Sequence, residues 1–515
     1  MIHRTIRRRH GLTALLALGL AAAMPAGIAQ AQAPNDNWVT IVLQGEPDTL
    51  DGCDAPRSGA GSVLTQNIVE TLTEVDPLTG AVTPRLATAW EVVDDRTWRF
   101  TLREGVTFHD GAPLTAEAAV ASIERTMRED LACEAALKPF AGLKVTARAV
   151  DAMTLEIAVD QPEPILPVRA ASLPLTSPNT PETRTSEPIG TGPYRLAAWT
   201  RGQEIVLERN ADYWGEQPEV EGARYIWRAE SALRAAMVKL GEADIAPNIS
   251  PQDADDPALD HSYLNSETTY LRIDTMTPPL DDVRVRLALN YAFDREGVRG
   301  VLVPADELHA TQIVVPTVAG HNPELDNEVR AYDPDRARAL LAEARADGVP
   351  VDTEITIYMR PAVYPNSVEV MEAFLAFYQD VGLNVKLVSL EEAQARTFNN
   401  APFDPARPPA LMQSTHDNNK GDPAFSVGFK YSCEGRQSMV CSEEVDRMLA
   451  DAQSTPVGPE RVAKWQALFR VLYDDIVGDV WMFHRVGYAR VGPRVDFTPS
   501  LATNSEIQIA TIGLK

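Results

Sequence analysis

Alternating apolar and polar positions along the chain predict short β-strands separated by helices. Apolar residues recur at helical spacing within Ala116–Arg128 and predict a helix there. Asp333 followed by Pro334 is typical of a helix start, and Gly348 is typical of the corresponding end. The strands that the same patterns predict are Val39–Leu43, Thr97–Leu102, Thr154–Val159, Glu204–Glu208 and Glu354–Met359.

One stretch of the chain predicts a complete strand–helix–strand unit. The strand Glu354–Met359 is followed by a helix over Ser367–Val381, which Gly382 ends, and by a second apolar run, Asn384–Leu390. A helix that connects two strands in this way is typical of parallel pairing, so the chain is predicted to be mixed α/β. By contrast, Ala246–Asp260 is rich in Pro and Asp and predicts a surface loop.

The N-terminal segment has the parts of a secretory signal peptide. Four arginines precede an apolar stretch from Leu12 to Met24, and small-residue cleavage sites follow at Ala31 and Ala33. The apolar stretch is too short to be a membrane anchor, because crossing a bilayer takes about 20 residues. We therefore expect residues 1–33 to be removed and the mature chain to be periplasmic.

Composition and charge narrow the class of partner. Hydrophobic residues make up 44% of the chain, enough for a sizeable core. The formal net charge is −26, and it becomes −30 once the four arginines of the predicted signal peptide are removed. Because so acidic a protein is repelled by nucleic acid phosphates and by anionic membranes, neither is expected as a partner.

The four cysteines fit an oxidising compartment. Cys433 and Cys441 enclose seven residues and are expected to form a short disulfide loop. Cys53 and Cys133 are candidates for a second disulfide, and the sequence leaves their pairing open. A zinc site is the competing interpretation, but the sequence has no C-x-x-C motif and no neighbouring pair of histidines. No metal and no other cofactor is expected.

Several segments carry a recognisable pattern in a fixed order along the chain. They are Glu46–Asp51, Leu86–Glu91, Trp98–Glu117, Pro188–Tyr194, Leu207–Gly215 and Val283–Glu296. Together they resemble the extracytoplasmic solute-binding proteins of ABC importers, family 5, the dipeptide-, oligopeptide- and nickel-binding type. The resemblance runs from about Ile41 to the C-terminus.

That resemblance implies an α/β, two-lobed periplasmic binding protein fold of type II, cluster C-like, with an extra inserted subdomain and a two-strand hinge near Leu271 and Phe483. Ligand binding would close the lobes. The implied partners are a small ligand and the permease and ATPase subunits of an ABC importer, and the chain is expected to be a monomer. The implied parts are lobe I (34–76, 188–270 and 485–515), the inserted subdomain (77–187) and lobe II (271–484).

The residues of the recognisable segments are expected to have structural roles rather than roles in catalysis or ligand binding. Gly105, Gly111, Gly190 and Gly192 are expected to supply turns in which positive φ is easily reached. His109 invites a catalytic or metal-binding interpretation because an aspartate follows it. The sequence Phe-His-Asp-Gly is more typical of a strand end that runs into a turn, so a structural role is expected.

By resemblance, the ligand-binding residues lie in lobe II. Arg360 directly follows a predicted strand, where α/β sheets bind ligands, and resembles the arginine that pairs with the carboxylate of a dipeptide. Its planar guanidinium can donate two parallel hydrogen bonds to one carboxylate. Asp417 resembles the aspartate that binds the α-ammonium, and Asp422 begins the turn that follows. His416 and Asn418 add polar groups beside Asp417.

This segment departs from the dipeptide-binding pattern. Two extra residues stand between Asp417 and Asp422, Ser414 replaces an aromatic residue, and Ala362 replaces a tyrosine. We therefore expect a reshaped pocket whose ligand is a peptide or a related zwitterionic compound. A metal chelate or metallophore, an opine and a sugar derivative remain open as alternatives.

A secreted hydrolase is the competing class of function. The sequence contains neither a G-x-S-x-G nor an H-E-x-x-H motif. With 73 acidic residues in the chain, pairs of carboxylates carry no information about catalysis. An enzyme is therefore not expected.

Overall fold

The computed structural model describes residues 37–515, apart from residues 57, 77, 78, 138, 141, 361, 362, 365, 405, 419, 420 and 505. The predicted signal peptide, residues 1–33, and Ala362 lie outside the described residues. In the described part of the chain, no helix has both the length and the apolar character needed to span a lipid bilayer.

Strands and helices alternate along the chain. The strands are β1 Trp38–Leu43, β2 Glu70–Thr71, β3 Thr73–Val75, β4 Val82–Pro84, β5 Ala87–Asp94, β6 Thr97–Leu102, β7 Val145–Asp151, β8 Thr154–Val159, β9 Pro174–Leu175, β10 Tyr194–Thr200, β11 Glu204–Arg209, β12 Gly222–Trp227, β13 Ile245–Ile249, β14 Asp260–Ile273, β15 Leu308–His309, β16 Ile355–Met359, β17 Val385–Ser389, β18 Ala410–Asp417, β19 Asp479–Val491, β20 Val495–Asp496 and β21 Gly513–Leu514. The α-helices are α1 Ser58–Leu64, α2 Ala116–Thr126, α3 Glu134–Leu137, α4 Leu166–Ala170, α5 Ser231–Lys239, α6 Val283–Tyr291, α7 Arg295–Val298, α8 Pro334–Ala346, α9 Ser367–Asp380, α10 Glu392–Asn399, α11 Val427–Tyr431, α12 Glu443–Ser454 and α13 Pro459–Val471.

The largest sheet runs through both predicted lobes. Within the described residues it has 11 strands, in the order β10-β11-β12-β1-β13-β19-β14-β18-β16-β17, with β15 beside β19. One end of this sheet belongs to the chain predicted as lobe I, and the other end, from β18 to β17, belongs to the chain predicted as lobe II.

Strands β14 and β19 join the two ends of this sheet. They pair with each other in antiparallel fashion along most of their length. In lobe I, β19 also pairs with β13, whereas in lobe II, β14 also pairs with β18 from Glu267 onwards. The register of the β14–β19 pair shifts between Leu264 and Thr268. The exchange of partners therefore falls a few residues before Leu271, near which the hinge is predicted.

Separate hydrophobic cores support the parts of the molecule. A four-stranded sheet, β5-β6-β8-β7, lies within the predicted insertion, 77–187, and its Phe100 belongs to the same hydrophobic core as Ile123 of α2. In lobe II, the neighbouring residues Tyr270 and Leu271 belong to different clusters. Because successive side chains of a strand point to opposite faces, the lobe II sheet is covered on both sides.

The predicted strand–helix–strand unit is confirmed. β16 and β17 pair in parallel, with Ile355 opposite Val385, and α9 connects them. Met371, Phe374 and Tyr378 of α9 are buried, as their helical spacing predicts. This unit fixes where β16 ends, and hence where the chain carrying Arg360 begins.

The prediction of a loop over Ala246–Asp260 is wrong for its first residues, which belong to β13. This strand pairs with β1 and with β19. Pro247 has no N–H to donate, and the pairing with β19 is irregular between Ala246 and Ile249. A proline inside a short strand thus made the sequence resemble a loop.

His109 links two of the recognisable segments. Its backbone N–H donates to Gly190 O, and its Nε2 lies 2.9 Å from Gly192 O, which can only accept. Burial lowers the pKa of His109 to about 4, so the ring is neutral at neutral pH and donates from Nε2. The predicted structural role is confirmed.

The glycines of these segments serve two different needs. Gly105 and Gly111 have φ of 74° and 84°, as predicted. Gly190 and Gly192 do not have positive φ, so the predicted reason is wrong for them. A Cβ on Gly190 would lie 2.0 Å from the carbonyl oxygen of Ile68, and Gly192 approaches the neighbouring backbone as closely. At Gly190 and Gly192, the absence of a side chain permits the two backbone segments to pack closely together.

Two disulfides are present in the structure. Cys433 is joined to Cys441, and Cys53 is joined to Cys133. The second disulfide links the N-terminal segment of lobe I to the predicted insertion, a pairing that the sequence leaves open.

A buried ion cluster lies where β14 and β19 exchange partners. Glu307 Oε1 is 3.1 Å from Arg485 Nε, and both side chains are buried. The Arg485 guanidinium also stacks 4.7 Å from the ring centroid of Tyr364. Burial raises the pKa of Glu307 to about 7, an effect that Arg485 partly offsets, and burial also raises the pKa of Glu267. The charge of Arg485 therefore partly offsets the effect of burial on both carboxyl groups, Glu307 and Glu267.

Replacing Glu307 by Gln is expected to weaken the pH dependence of stability. The carboxyl titrates near 4.5 in the unfolded chain and near 7 in the folded one, so the folded protein holds an extra proton in between. This group therefore makes the free energy of unfolding fall as pH rises across that range. Denaturant titrations across the range should give Glu307→Gln a smaller decline than wild type. Exposed Glu343→Gln on α8 is the control, and identical declines in all three proteins would contradict the account.

Candidate functional site

A cavity of about 330 Å³ lies between the two lobes. Ligand pockets typically range from about 300 to 1,000 Å³, so its size suits a small molecule. Its walls come from the end of α1 and from β2 and β3, from the predicted insertion at Ser172, from the C-terminal segment around Leu501, and from lobe II at Thr317 and Gly421. We refer to this space as the interlobe cavity.

The two lobes touch beside the interlobe cavity. Gly421 has φ of 73°, and a Cβ on it would lie 2.9 Å from Val75 Cγ1. Gly80 has φ of 69°, and a Cβ there would lie 2.9 Å from Thr317 O. The segment around β3 and β4 is therefore packed directly against lobe II, and the cavity is closed along this wall.

Gln66 lines the cavity with a strained backbone, because its φ of 57° costs a non-glycine residue about 1–3 kcal/mol. Its Nε2 donates to Thr71 Oγ1 at 2.9 Å, and that hydroxyl donates in turn to Thr73 O at 2.6 Å. Since the hydroxyl proton is used, the amide nitrogen must face Thr71, and Oε1 remains as an acceptor. Among the described residues, this buried Oε1 has no hydrogen-bond partner.

Carboxylates supply the charge on the described cavity wall. Gln508 Nε2 donates to Glu74 Oε1 and also, at 2.7 Å, to Glu506 Oε1, so one amide holds both carboxylates. The acidic residues that line the cavity are Glu74, Asp76 and Glu506.

Strand β18 extends beyond its neighbour β16 at the carboxyl end of the lobe II sheet. Among the described residues, β16 pairs with β18 only as far as Tyr358 opposite Met412, while β18 continues beside β14 to Asp417. Arg360 directly follows β16, and its backbone N–H donates to Gln413 Oε1 at 2.9 Å. The last residues of β18 thus form an edge that β16 does not cover.

Arg360 and Asp417 lie at the two ends of this edge. The register of β16 and β18, continued by two residues, puts Arg360 level with Ser414, three residues before Asp417. With about 3.4 Å per residue and about 4.8 Å between strands, this continued register would separate the two Cα positions by roughly 11 Å. A ligand that contacts both residues would therefore lie along the edge.

His416 and Asn418 are buried at the end of β18. The Asn418 amide donates to Ser266 O at 2.9 Å and to Ile313 O at 3.3 Å, which ties β18 to β14 and to the preceding lobe II loop. Burial lowers the pKa of His416 well below its usual value, so the ring is neutral. The described lining of the interlobe cavity includes neither residue.

Asp422 is engaged inside lobe II. Its Oδ1 accepts from Ala424 N at 2.8 Å and lies 3.0 Å from Arg461 Nη2, and both charged side chains are buried. The pair holds the Asp422 carboxylate within lobe II, because removing one partner of a buried pair leaves an uncompensated charge.

The charged side chain of Lys430 is buried in lobe II near Tyr270. Lys430 Nζ lies 5.7 Å from the ring centroid of Tyr270, the residue opposite Ser414. Burial lowers the pKa of Lys430 to about 7, and the neighbouring charge of Arg272 acts in the same direction. Burial raises the pKa of Asp479 to about 7. The interior of lobe II beside Tyr270 therefore holds two basic side chains, Lys430 and Arg272, together with the carboxyl group of Asp479.

Sequence reasoning missed the residues of the cavity wall. Gln66, Glu74 and Glu506 belong to no recognisable segment, and more than 400 residues separate the first two from the third. Of these three residues, only Gln66 stands out in the sequence, because it is a polar residue that lies between the apolar residues of α1 and Ile68.

Comparison with known proteins places the chain among solute-binding proteins. The model of bacterial extracellular solute-binding proteins, family 5 (middle), matches residues 81–435. The chain is 26% identical over 434 residues to the dipeptide-binding protein of Escherichia coli strain K12, a match that covers 77% of this chain and 80% of that protein. It is 25% identical over 442 residues to the nickel-binding periplasmic protein of the same strain, with coverages of 77% and 80%.

A solved structure of HbpA2 from Haemophilus parasuis superimposes with a TM-score of 0.81 at 22% identity, covering 93% of this chain and 100% of that chain. Other matched structures are periplasmic binding proteins of the same architecture. The predicted two-lobed α/β fold is confirmed.

Replacing Gly421 by Leu is expected to hold the lobes apart, because the new side chain would occupy the position of Val75. Small-angle X-ray scattering should show a larger radius of gyration than for wild type. Gly348→Leu is the matched control, since Gly348 also has positive φ, 87°, but faces open space. If both variants kept the wild-type radius, the contact between Gly421 and Val75 would not be what limits lobe separation.

Proposed function

Because this chain belongs to the bacterial extracellular solute-binding proteins of family 5, we propose that it captures a small peptide or a related zwitterionic compound between its lobes. The family is one of binding proteins, so the chain is a solute-binding protein and not an enzyme. We place it in the periplasm, where it delivers its ligand to the permease and ATPase subunits of an ABC importer. Relatives are named for a dipeptide and for nickel, so the ligand class is argued from this chain's own residues.

The observation that carries the proposal is the uncovered edge of β18 between Arg360 and Asp417. An extended peptide adds to such an edge through backbone hydrogen bonds. Arg360 suits a carboxylate at one end, because its guanidinium donates two parallel hydrogen bonds. Asp417 suits an ammonium at the other end. Their Cα separation of roughly 11 Å leaves room for a short ligand between the two side chains.

The path from this edge to the interlobe cavity supports capture between the lobes. Gly421 N donates to Asn418 O at 3.1 Å, which holds Gly421 of the cavity wall close to the end of β18. A ligand that lies along the edge therefore reaches both lobes. Closure then follows from its higher affinity for the closed state, which limits how far the population can shift.

Removing the Arg360 side chain should cost the most affinity. Arg360 is half-buried, and a carboxylate left unpaired in a closed cleft loses about 2 kcal/mol or more, which is roughly 30-fold in Kd. Asp417 is exposed, so Asp417→Ala should lose less, about fivefold for about 1 kcal/mol. Arg360→Lys should recover only part of the loss. The measurement is calorimetry with a dipeptide selected from a panel by thermal shift.

The matched controls are Arg447→Ala and Asp335→Ala, since both side chains are exposed on lobe II helices away from the edge. Both controls should bind as wild type does, and all variants should keep the ligand-free melting temperature. Losses below about threefold for both Arg360→Ala and Asp417→Ala, about 0.6 kcal/mol, would rule out the edge of β18 as the binding site.

A further inference from the structure

We propose that Gln66 and Thr317 bind an uncharged group of the ligand in the interlobe cavity, a carboxamide or a hydroxyl that both donates and accepts hydrogen bonds. The inference rests on the proposed function in one respect, namely that the ligand is bound between the lobes. It adds two residues that determine specificity and the chemical class of the group that they select.

Gln66 contributes a buried acceptor to the cavity. Its amide orientation is fixed by Thr71, because the hydroxyl proton of Thr71 is already donated to Thr73 O. The Oε1 atom of Gln66 can therefore only accept a hydrogen bond, and no described residue donates to it. Gln66 is 2% exposed, and a buried acceptor is costly to leave without a donor. A ligand N–H or O–H in the cavity would supply that donor.

Thr317 contributes the corresponding group from lobe II. It lines the same cavity, and its Oγ1 atom is buried without a hydrogen-bond partner among the described residues. Its carbonyl oxygen would lie 2.9 Å from a Cβ on Gly80, so Thr317 stands where the lobes touch. A hydroxyl can both donate and accept. The two unsatisfied atoms thus come from different lobes, and one ligand group that pairs with both would connect the lobes.

The loop that carries Gln66 is held in place by contacts within lobe I. Gln66 has φ of 57°, and its backbone N–H donates to Val69 O at 2.9 Å. The next residue, Asn67, accepts from Tyr194 N at 2.9 Å, and its side chain donates to Ile507 O at 2.7 Å. The acceptor is therefore already ordered, which lowers the entropic cost of binding a ligand donor there.

An uncharged donor and acceptor fits the two atoms better than the alternatives do. A carboxylate has only acceptor oxygens at neutral pH and would face Gln66 Oε1 as a second acceptor. An ammonium has no acceptor, so the hydroxyl proton of Thr317 would stay unused. An alkyl group would leave both buried atoms unsatisfied, and a site built for hydrogen bonds rejects such an analogue. A carboxamide can donate its N–H to Gln66 and accept from Thr317.

The position of the cavity indicates which end of a peptide would enter it. Gly421 lines the cavity, and its N–H donates to Asn418 O at the end of β18. In the proposed function, the neighbouring Asp417 binds the ligand's ammonium, so the first residue of a peptide lies closer to the cavity than the last. The side chain of that first residue is therefore the group that Gln66 and Thr317 would select.

The test compares four dipeptides of similar size, Asn-Ala, Leu-Ala, Asp-Ala and diaminobutyryl-Ala, by calorimetry on the full mature chain at neutral pH. Wild type should bind Asn-Ala at least about tenfold more tightly than each of the others. Thr317→Val removes the hydroxyl and keeps the shape of the side chain, whereas Gln66→Met removes the amide. In each variant the preference for Asn-Ala over Leu-Ala should fall by at least about threefold, while the Kd for Leu-Ala changes by less than about twofold.

Thr356→Val is the matched control. The Thr356 hydroxyl, on β16, is also buried without a described partner, but the described lining of the interlobe cavity does not include Thr356. This variant should keep the wild-type preference for Asn-Ala. Thr317→Val keeps the inference testable even if Gln66→Met fails to fold, because it leaves the hydrogen bond between Gln66 and Thr71 intact.

Equal wild-type affinity for Asn-Ala and Leu-Ala would overturn the inference, because water would then be what satisfies the two atoms. A preference for Asp-Ala or for diaminobutyryl-Ala would overturn it as well. So would a folded Thr317→Val variant with the wild-type preference, since the carboxamide would then be bound elsewhere.

A second arm separates this inference from the proposed function. If none of the four dipeptides binds, the peptide proposal fails, and acetamide, which has the carboxamide without either terminus, then tests the cavity alone. At high millimolar concentration, acetamide should raise the melting temperature of wild type more than that of Thr317→Val. An equal shift in the two proteins would reject the roles of Gln66 and Thr317.

Discussion

The pairing of β14 with β19 carries backbone hydrogen bonds from one lobe into the other. In the chain predicted as lobe I, β19 also pairs with β13, and in the chain predicted as lobe II, β14 also pairs with β18 and β19 with the short β15, so the β14–β19 pair is the element that both ends of the sheet share. Its register shift between Leu264 and Thr268 coincides with the buried cluster of Arg485, Glu307 and Glu267. Both the uncovered edge of β18 and the closing of the interlobe cavity depend on where this pair places lobe II.

On the proposed function, the edge of β18 receives a ligand that bears both signs, with Arg360 at one end and Asp417 at the other. The interlobe cavity also has walls from lobe I, so such a ligand would gain its remaining contacts only when both lobes are engaged. Its affinity for the closed form then exceeds that for the open form, which is the difference that drives closure.

The parts of the fold that the sequence predicted are those set by local pattern. The β16–α9–β17 unit follows from strand alternation and helical spacing, and Arg360 was found because it directly follows that unit. The ion pair of Asp422 was not predicted, because its partner, Arg461, is 39 residues away and no local sequence pattern indicates the contact. The cavity wall combines Gln66 with Glu506, and the strain at Gln66 is a backbone property that its residue type does not signal. Features that depend on long-range contacts or on backbone conformation could thus not be predicted from the local sequence pattern.

Identification of the ligand that remains bound to the exported protein tests this account most directly. Protein isolated from the periplasm under native conditions would be analysed by native mass spectrometry, and the released compound would be sequenced or fragmented. The account predicts one small zwitterionic molecule per chain, with an acidic group and an ammonium. A bound compound that has no charged group, or that carries acidic groups alone, would contradict it.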